Sequence, residues 1–170
     1  MTPAQRDTLR SVVAGIVGWH ETLIVWDGES VPHLAGVGLV TLRTVSATTL
    51  GTVDERRERY EGTTRYVDTH VARVMRIDVD VLCMTAPLAR DVCETVACGL
   101  SDEGPTEALA QDGLSLIELG RVIDLDQKID DSAADRSLVE IALHATWVVA
   151  DPTATKATIG TAAKSLVEPQ

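Results

Sequence analysis

Two stretches with strand-like alternation, Val37 to Leu50 and Tyr66 to Met84, are too long for the body of a chain this size. At ~3.3 Å per residue the second stretch alone reaches roughly 60 Å. A compact domain of 170 residues has a radius of gyration near ~15 Å, hence a diameter of roughly 40 Å. The pair predicts a long β-hairpin, about residues 37–84, that extends past the body carrying it. Between the stretches lies Asp54-Glu55-Arg56-Arg57-Glu58-Arg59, read as an arginine-rich polar tip. A projecting hairpin that stays ordered needs a neighbour, which points to an assembly subunit rather than a self-contained enzyme.

With 170 residues, one domain with an ordinary core is expected. There is no Phe and there are three Trp, so that core must be built mainly from Val, Leu, Ile and Ala. No apolar stretch approaches the length of a membrane span, and residues 1–18 lack the basic start and apolar centre of a secretory leader. The chain reads as soluble and cytosolic. Cys83, Cys93 and Cys98 are odd in number and lack CxxC spacing, the pattern of reduced thiols rather than a disulfide framework.

The net charge of -11 disfavours nonspecific nucleic-acid binding, which needs cationic contacts to phosphate. Its distribution is uneven. From Arg43 to Arg76 there are seven arginines against five acids, whereas from Ile77 to Asp135 there are fourteen acids against three cations. Solvated faces account for such asymmetry in most chains. The alternative is head-to-tail contact, in which the basic limb of one copy meets the acidic flank of the next.

Along the chain, Thr2-Pro3-Ala4-Gln5 combines a capping box with Pro at the first helical position. Leu9, Val12, Val13, Ile16 and Val17 continue as an apolar stripe until Gly18. Thr22 to Trp26 predicts a short strand, and Asp27 to Pro32 a loop into the hairpin. In the second hairpin strand, Val71, Met75, Ile77, Val79, Val81 and Cys83 share a face, with Arg76, Asp78 and Asp80 opposite. Thr85 and Pro87 open a helix to about Leu100, and Gly104-Pro105 a shorter one through Leu109. Leu114 to Leu125 predicts a strand, Asp126 to Asp135 an acidic loop, and Leu138 to Val149 a cleanly alternating strand suited to the sheet centre. The sum is an α+β fold: a mainly antiparallel sheet with a long projecting hairpin and helices packed on one face. Residues 1–150 form the domain and 151–170 an Ala/Thr-rich C-terminal arm.

Catalytic patterns are sparse in this sequence. Gly36-Val37-Gly38 lacks a third glycine and precedes a strand, so it is not a dinucleotide loop. His20, His33, His70 and His144 are scattered, without zinc-ligand spacing. Asp124, Asp126, Asp130 and Asp135 fall at calcium-loop positions, but Lys128 and Ile129 occupy places that need an oxygen ligand and a glycine. Asp78 and Asp80 share a strand face and are close enough to couple, with no convergent His or Lys nearby in sequence. No Ser-His-Asp order or nucleophile elbow is present. No cofactor or metal is expected.

The order of segments resembles the neck or tail terminator family of tailed phages and related particles. The stations are an N-terminal helix, Leu23-Ile24-Val25-Trp26-Asp27, Pro32 and Val40-Thr41-Leu42-Arg43. After the hairpin come Val79-Asp80-Val81, Ala86-Pro87-Leu88-Ala89, Ile123-Asp124-Leu125 and Asp135-Arg136-Ser137-Leu138-Val139-Glu140. The likeness spans roughly residues 5–150 and departs from the family at Pro152 and at the charged tip.

The resemblance implies a structural protein of the virion neck, assembled in the host cytoplasm, without catalytic residues. Such proteins form a ring, expected to be hexameric, at the head-proximal end of a tail tube. The ring ends tube growth and docks the head connector. Partners would be copies of the chain itself, the tail-tube protein and the head–tail connector, with DNA passing through unbound and no membrane involved. Arg56, Arg57, Arg59 and Arg65 are the candidate cationic contacts, and Asp124, Asp126, Asp130 and Asp131 the acceptors or lumen residues. A head-side connector or head-completion protein is the neighbouring reading; a small-molecule-binding module in the sheet–helix crevice is the reading from another class.

Overall fold

The computed structural model describes residues 1–31, 38–50, 55–61, 64–85, 87–125, 128–129, 132–133, 135–150 and 155–156. Helix α1, Pro3–Val17, starts at the capping box that the sequence announces. The Thr2 hydroxyl accepts the Gln5 amide (3.2 Å), and the Gln5 side-chain oxygen accepts the Thr2 amide (3.0 Å). The buried Gln5 amide group also donates to the Asp112 carbonyl at 2.9 Å and the Thr146 carbonyl at 2.8 Å. Gly18 stops the helix with φ 68, a left-handed backbone that side chains disfavour.

A 3₁₀ turn, Glu21–Leu23, then leads into β1, Ile24–Trp26, so the expected strand is shorter at its start. There follow β2 (Gly38–Thr49), β3 (Glu55–Glu61) and β4 (Thr64–Cys83). Helices α2 (Ala89–Gly99) and α3 (Glu103–Gln111) precede β5 (Leu114–Asp124). The chain continues through β6 (Lys128–Ile129), β7 (Ser132–Ala133), β8 (Asp135–Val149) and β9 (Thr155–Lys156). Strands β6 and β7 pair with each other inside the segment read as an acidic loop.

The main sheet runs β1-β2-β4-β8-β5, with β3 and β9 also on β4. Pairing is antiparallel for β2–β4, β3–β4, β4–β9 and β5–β8, and parallel for β1–β2. The fold is α+β. Strand β8 lies between β4 and β5; β4 takes the middle place that alternation suggested for β8. Strand β5 is an edge, and its register against β8 shifts twice, between Leu116 and Glu118 and between Leu119 and Val122. Such bulges add residues without partners and twist an edge away from regular pairing.

The chain divides into two compact units, Met1–Val53 with Ala72–Trp147, and Asp54–Val71 with Val148–Gln170. In the first, β2 register sets Val40 against Val81 and Leu42 against Val79, while Thr41 and Arg43 face Asp80 and Asp78 on the other side. Val40, Leu42, Ile77, Val79, Val81, Val139, Ile141 and Leu143 form one core with Leu9 and Val13 of α1, Val92, Cys93 and Val96 of α2, and Leu109 of α3. All three helices therefore cover the same sheet face. Each large aliphatic buried there contributes about 1.5–3 kcal/mol of transfer free energy. Trp26 joins this core, its indole N–H donating to the Arg6 carbonyl (3.2 Å) under the Arg6 guanidinium. Helices α1 and α2 approach closely at Gly99, where a Cβ would stand 2.6 Å from an Ile16 methyl.

The second unit contains a hairpin. Strand β3 pairs with residues 64–70 of β4, from Glu61↔Thr64 to Glu55↔His70. The segment read as a polar tip is thus a strand, paired with β4 out to Glu61↔Thr64. The physical reason is register: cross-strand ion pairs stabilise a run that lacks the apolar alternation by which strands are recognised. Strand β9 adds the pairs Thr64↔Lys156 and Arg65↔Thr155.

Candidate interaction surface

The four candidate arginines sit on the two faces of this hairpin. Arg57 and Arg59 share a face with Tyr66 and Asp68; Arg56 shares the other with Tyr60, Arg65 and Thr69. Three of the four are committed locally. Arg57 meets Glu55 at 2.8 Å, Arg59 donates its Nε to Asp68 at 3.0 Å while stacking over Tyr66, and Arg65 pairs with Glu58. The Tyr60 hydroxyl also donates to Glu58 (2.8 Å). That hydroxyl first, and Arg65 second, hold the Glu58 carboxyl below its usual range, and Glu58 pushes the Tyr60 phenol up. Glu55 is lowered by its bond from Arg57.

Arg56 differs: it is exposed and makes no ion pair among the described residues. Tyr60, on the same face, is 58% exposed. Of the hairpin side chains described, Asp68 and Val71 alone are buried. Among the described residues of this hairpin, Val71 is the one buried apolar side chain.

Of the four candidate acceptors, Asp126, Asp130 and Asp131 lie outside the described residues. Asp124 ends β5 and is already engaged. It accepts the Ser137 hydroxyl at 3.0 Å and the Arg90 guanidinium at 2.6 Å, and Arg90 also holds Glu94 at 3.0 Å. The structure therefore brings Asp124 to Arg90 of α2 rather than to the candidate arginines.

The remaining sheet face of the first unit is a row of closed ion pairs. Arg43 meets Asp78 at 2.5 Å, Arg136 clasps Asp80 through two nitrogens (Nε–Oδ1 2.9 Å), and Arg76 meets Glu140 with Glu118 at 3.8 Å. Asp78 and Asp80, close enough to couple as a carboxylate pair, are each neutralised by a separate arginine. That suits a structural ladder better than proton transfer.

Asp135-Arg136-Ser137, one of the resemblance stations, has a role at each residue. The Asp135 carboxylate accepts the Ala89 amide at 2.6 Å, capping α2, whose own N-cap residue Leu88 supplies no side-chain bond. Arg136 reaches Asp80, and the fully buried Ser137 reaches Asp124. The sequence places the start of α2 near Pro87. The cap lies 46 residues away, so no local signal could have given it.

Among the described residues, no three His, Cys, Asp or Glu side chains are arranged to hold a metal ion. Cys83 and Cys93 are buried, and burial pushes their thiols up to about 11 and about 12, far from thiolate reactivity at neutral pH. Cys98 is exposed. His20 accepts the Thr22 amide and caps the 3₁₀ turn. No described helix is long and apolar enough to cross a membrane.

One concavity stands out on the helix layer. A groove of about 870 Å³ lies between α1, α2 and α3, with Gly15, Gly99 and Ala108 beside Val12, Ile16 and Pro105, and with Asp91, Glu94 and Asp102 as its charged lining. Cys98 also lines it.

No family model matches the chain, and no curated protein matches it. Among solved structures, nineteen chains match. One belongs to the virion of a native gene transfer agent particle. It is 15% identical, with a TM-score of 0.33, over 85% of this chain and 92% of that chain.

Proposed function

We propose that this chain is a structural subunit of a phage-like particle. In this reading, copies join into a ring at the head-proximal end of a tail, end tube growth and dock the head connector. The observation that carries the reading is the hairpin of β3 and β4. Residues 55–61 and 64–71 bury Asp68 and Val71 among their described side chains and expose Arg56 and Tyr60, with β9 adding two backbone pairs, so little buried surface holds this end of the ladder. A covering neighbour supplies what it lacks. The order of segments resembling the terminator family supports the same role, and Val79-Asp80-Val81 and Asp135-Arg136-Ser137 from that order meet through the Arg136–Asp80 pair.

Hairpin arginines meeting carboxylates of the next subunit would orient the copies, each rim pair contributing about 0–1 kcal/mol, with apolar contact giving affinity. An acidic ring also suits a DNA channel, since like charge discourages the passing duplex from adhering.

The internal pairs dictate how to test this. Replacing all four arginines would also remove the hairpin's own ion pairs, whereas Arg56→Glu with Tyr60→Ser leaves the pairs of Arg57, Arg59 and Arg65 in place. Particles made with that variant, viewed by electron microscopy, should carry tails of uncontrolled length or tails unattached to heads, as should particles lacking the chain. Normal tails in its complete absence would refute the role.

A further inference from the structure

We propose that the groove between α1, α2 and α3 receives the Arg56–Tyr60 face of the hairpin from a second copy of the chain; this rests on the ring reading and names its contact. The two surfaces are complementary in charge and shape. Two of the groove's carboxylates, Asp91 and Asp102, have no cationic partner among the described residues, and no Lys, Arg or His lines it. Glu94 is held by Arg90. On the hairpin, Arg56 is the candidate arginine without a carboxylate, and Tyr60 is exposed beside it.

Shape agrees with charge. Nothing stands within 4 Å of where a Cβ at Gly15 would be, and Ala108 is short, so a tyrosine ring can lie there against backbone and the Val12 and Ile16 side chains. Tyr and Arg are the residues that most often anchor interfaces when seated in such a depression. Other acidic surfaces fit less well: Asp124, Asp78 and Asp80 are each closed by an arginine of the same chain. A contact between two different surfaces of identical subunits is heterologous, the kind that closes into a ring when the rotation per copy permits.

Cys98 offers a direct test, because it is exposed and lines the groove while the other two thiols are buried. Thr69 lies directly across from Arg56 in the β3–β4 register, so Thr69→Cys places a thiol on the docking face without touching either anchor. Mild oxidation of concentrated Thr69→Cys protein should give a reducible ladder of linked copies, lost when Cys98→Ser is added. Arg56→Glu should weaken self-association about tenfold or more, and Asp91→Arg with Asp102→Arg should restore it. A ring seen by native mass spectrometry that gives no Cys98-dependent link would overturn the groove contact and leave the ring reading standing. A link that survives Cys98→Ser would mean a symmetric hairpin–hairpin contact and also overturn it. Monomers under all conditions, tail components included, would sink both.

Discussion

Glu29 follows the turn after β1, where its carboxylate accepts the Trp26 amide at 2.9 Å and the Arg10 guanidinium at 2.6 Å through both oxygens. One side chain thus ties α1 to the turn. The Trp26 amide first, and Arg10 after it, hold the Glu29 carboxyl below its usual range. A lowered folded-state value stabilises the fold above the ordinary glutamate range, and that contribution is lost as the pH falls through it. Because Glu29 is partly exposed, solvent screening keeps the effect near ~0.5–1 kcal/mol. Glu29→Gln should therefore be less stable than the parent at neutral pH by that amount. The difference should vanish in acid, as urea unfolding at several pH values would reveal; a gap that persists at low pH would contradict the charge argument.

At the level of elements, legibility depended on where the partner lies. Helix α1 was readable because Thr2 and Gln5 cap each other within one turn. The core face of β4 was readable because Ile77, Val79 and Val81 alternate with Asp78 and Asp80. Strand β3 was not, because Glu55 to Glu61 contains no apolar alternation and its stability comes from partners such as Asp68 across the ladder. The candidate arginines were found by composition, but which of them lacks an ion pair among the described residues follows from the side-chain pairing. Helix α2 makes the same point. Asp135→Ala removes its remote cap and should cost about 0.5–2 kcal/mol, measured by chemical denaturation, with the added loss confined to α2 amides in hydrogen exchange. An unchanged unfolding midpoint would mean the Ala89 amide finds another acceptor at no cost.

For the whole molecule, the two units differ in what they bury. The first contains the aliphatic core with three helices; in the second, Asp68 and Val71 are the buried side chains among the described residues. Amide exchange should reflect this in the isolated chain, with residues 55–70 exchanging well before residues 77–83, since few buried contacts protect them. On the proposed role, assembly should slow residues 55–70 selectively, as measured by mass spectrometry before and after ring formation. Protection of the hairpin equal to that of the core in a monomer would remove the reason for invoking a neighbour.

The two register breaks in β5 have a bearing on how such subunits avoid unwanted company. A long regular border strand is a template onto which further strands stack without limit, giving fibres or precipitate. Irregular spacing of amides and carbonyls along Leu114–Asp124 denies an incoming strand a matching lattice. A subunit whose proposed task is to halt growth would gain from a border that is itself hard to extend.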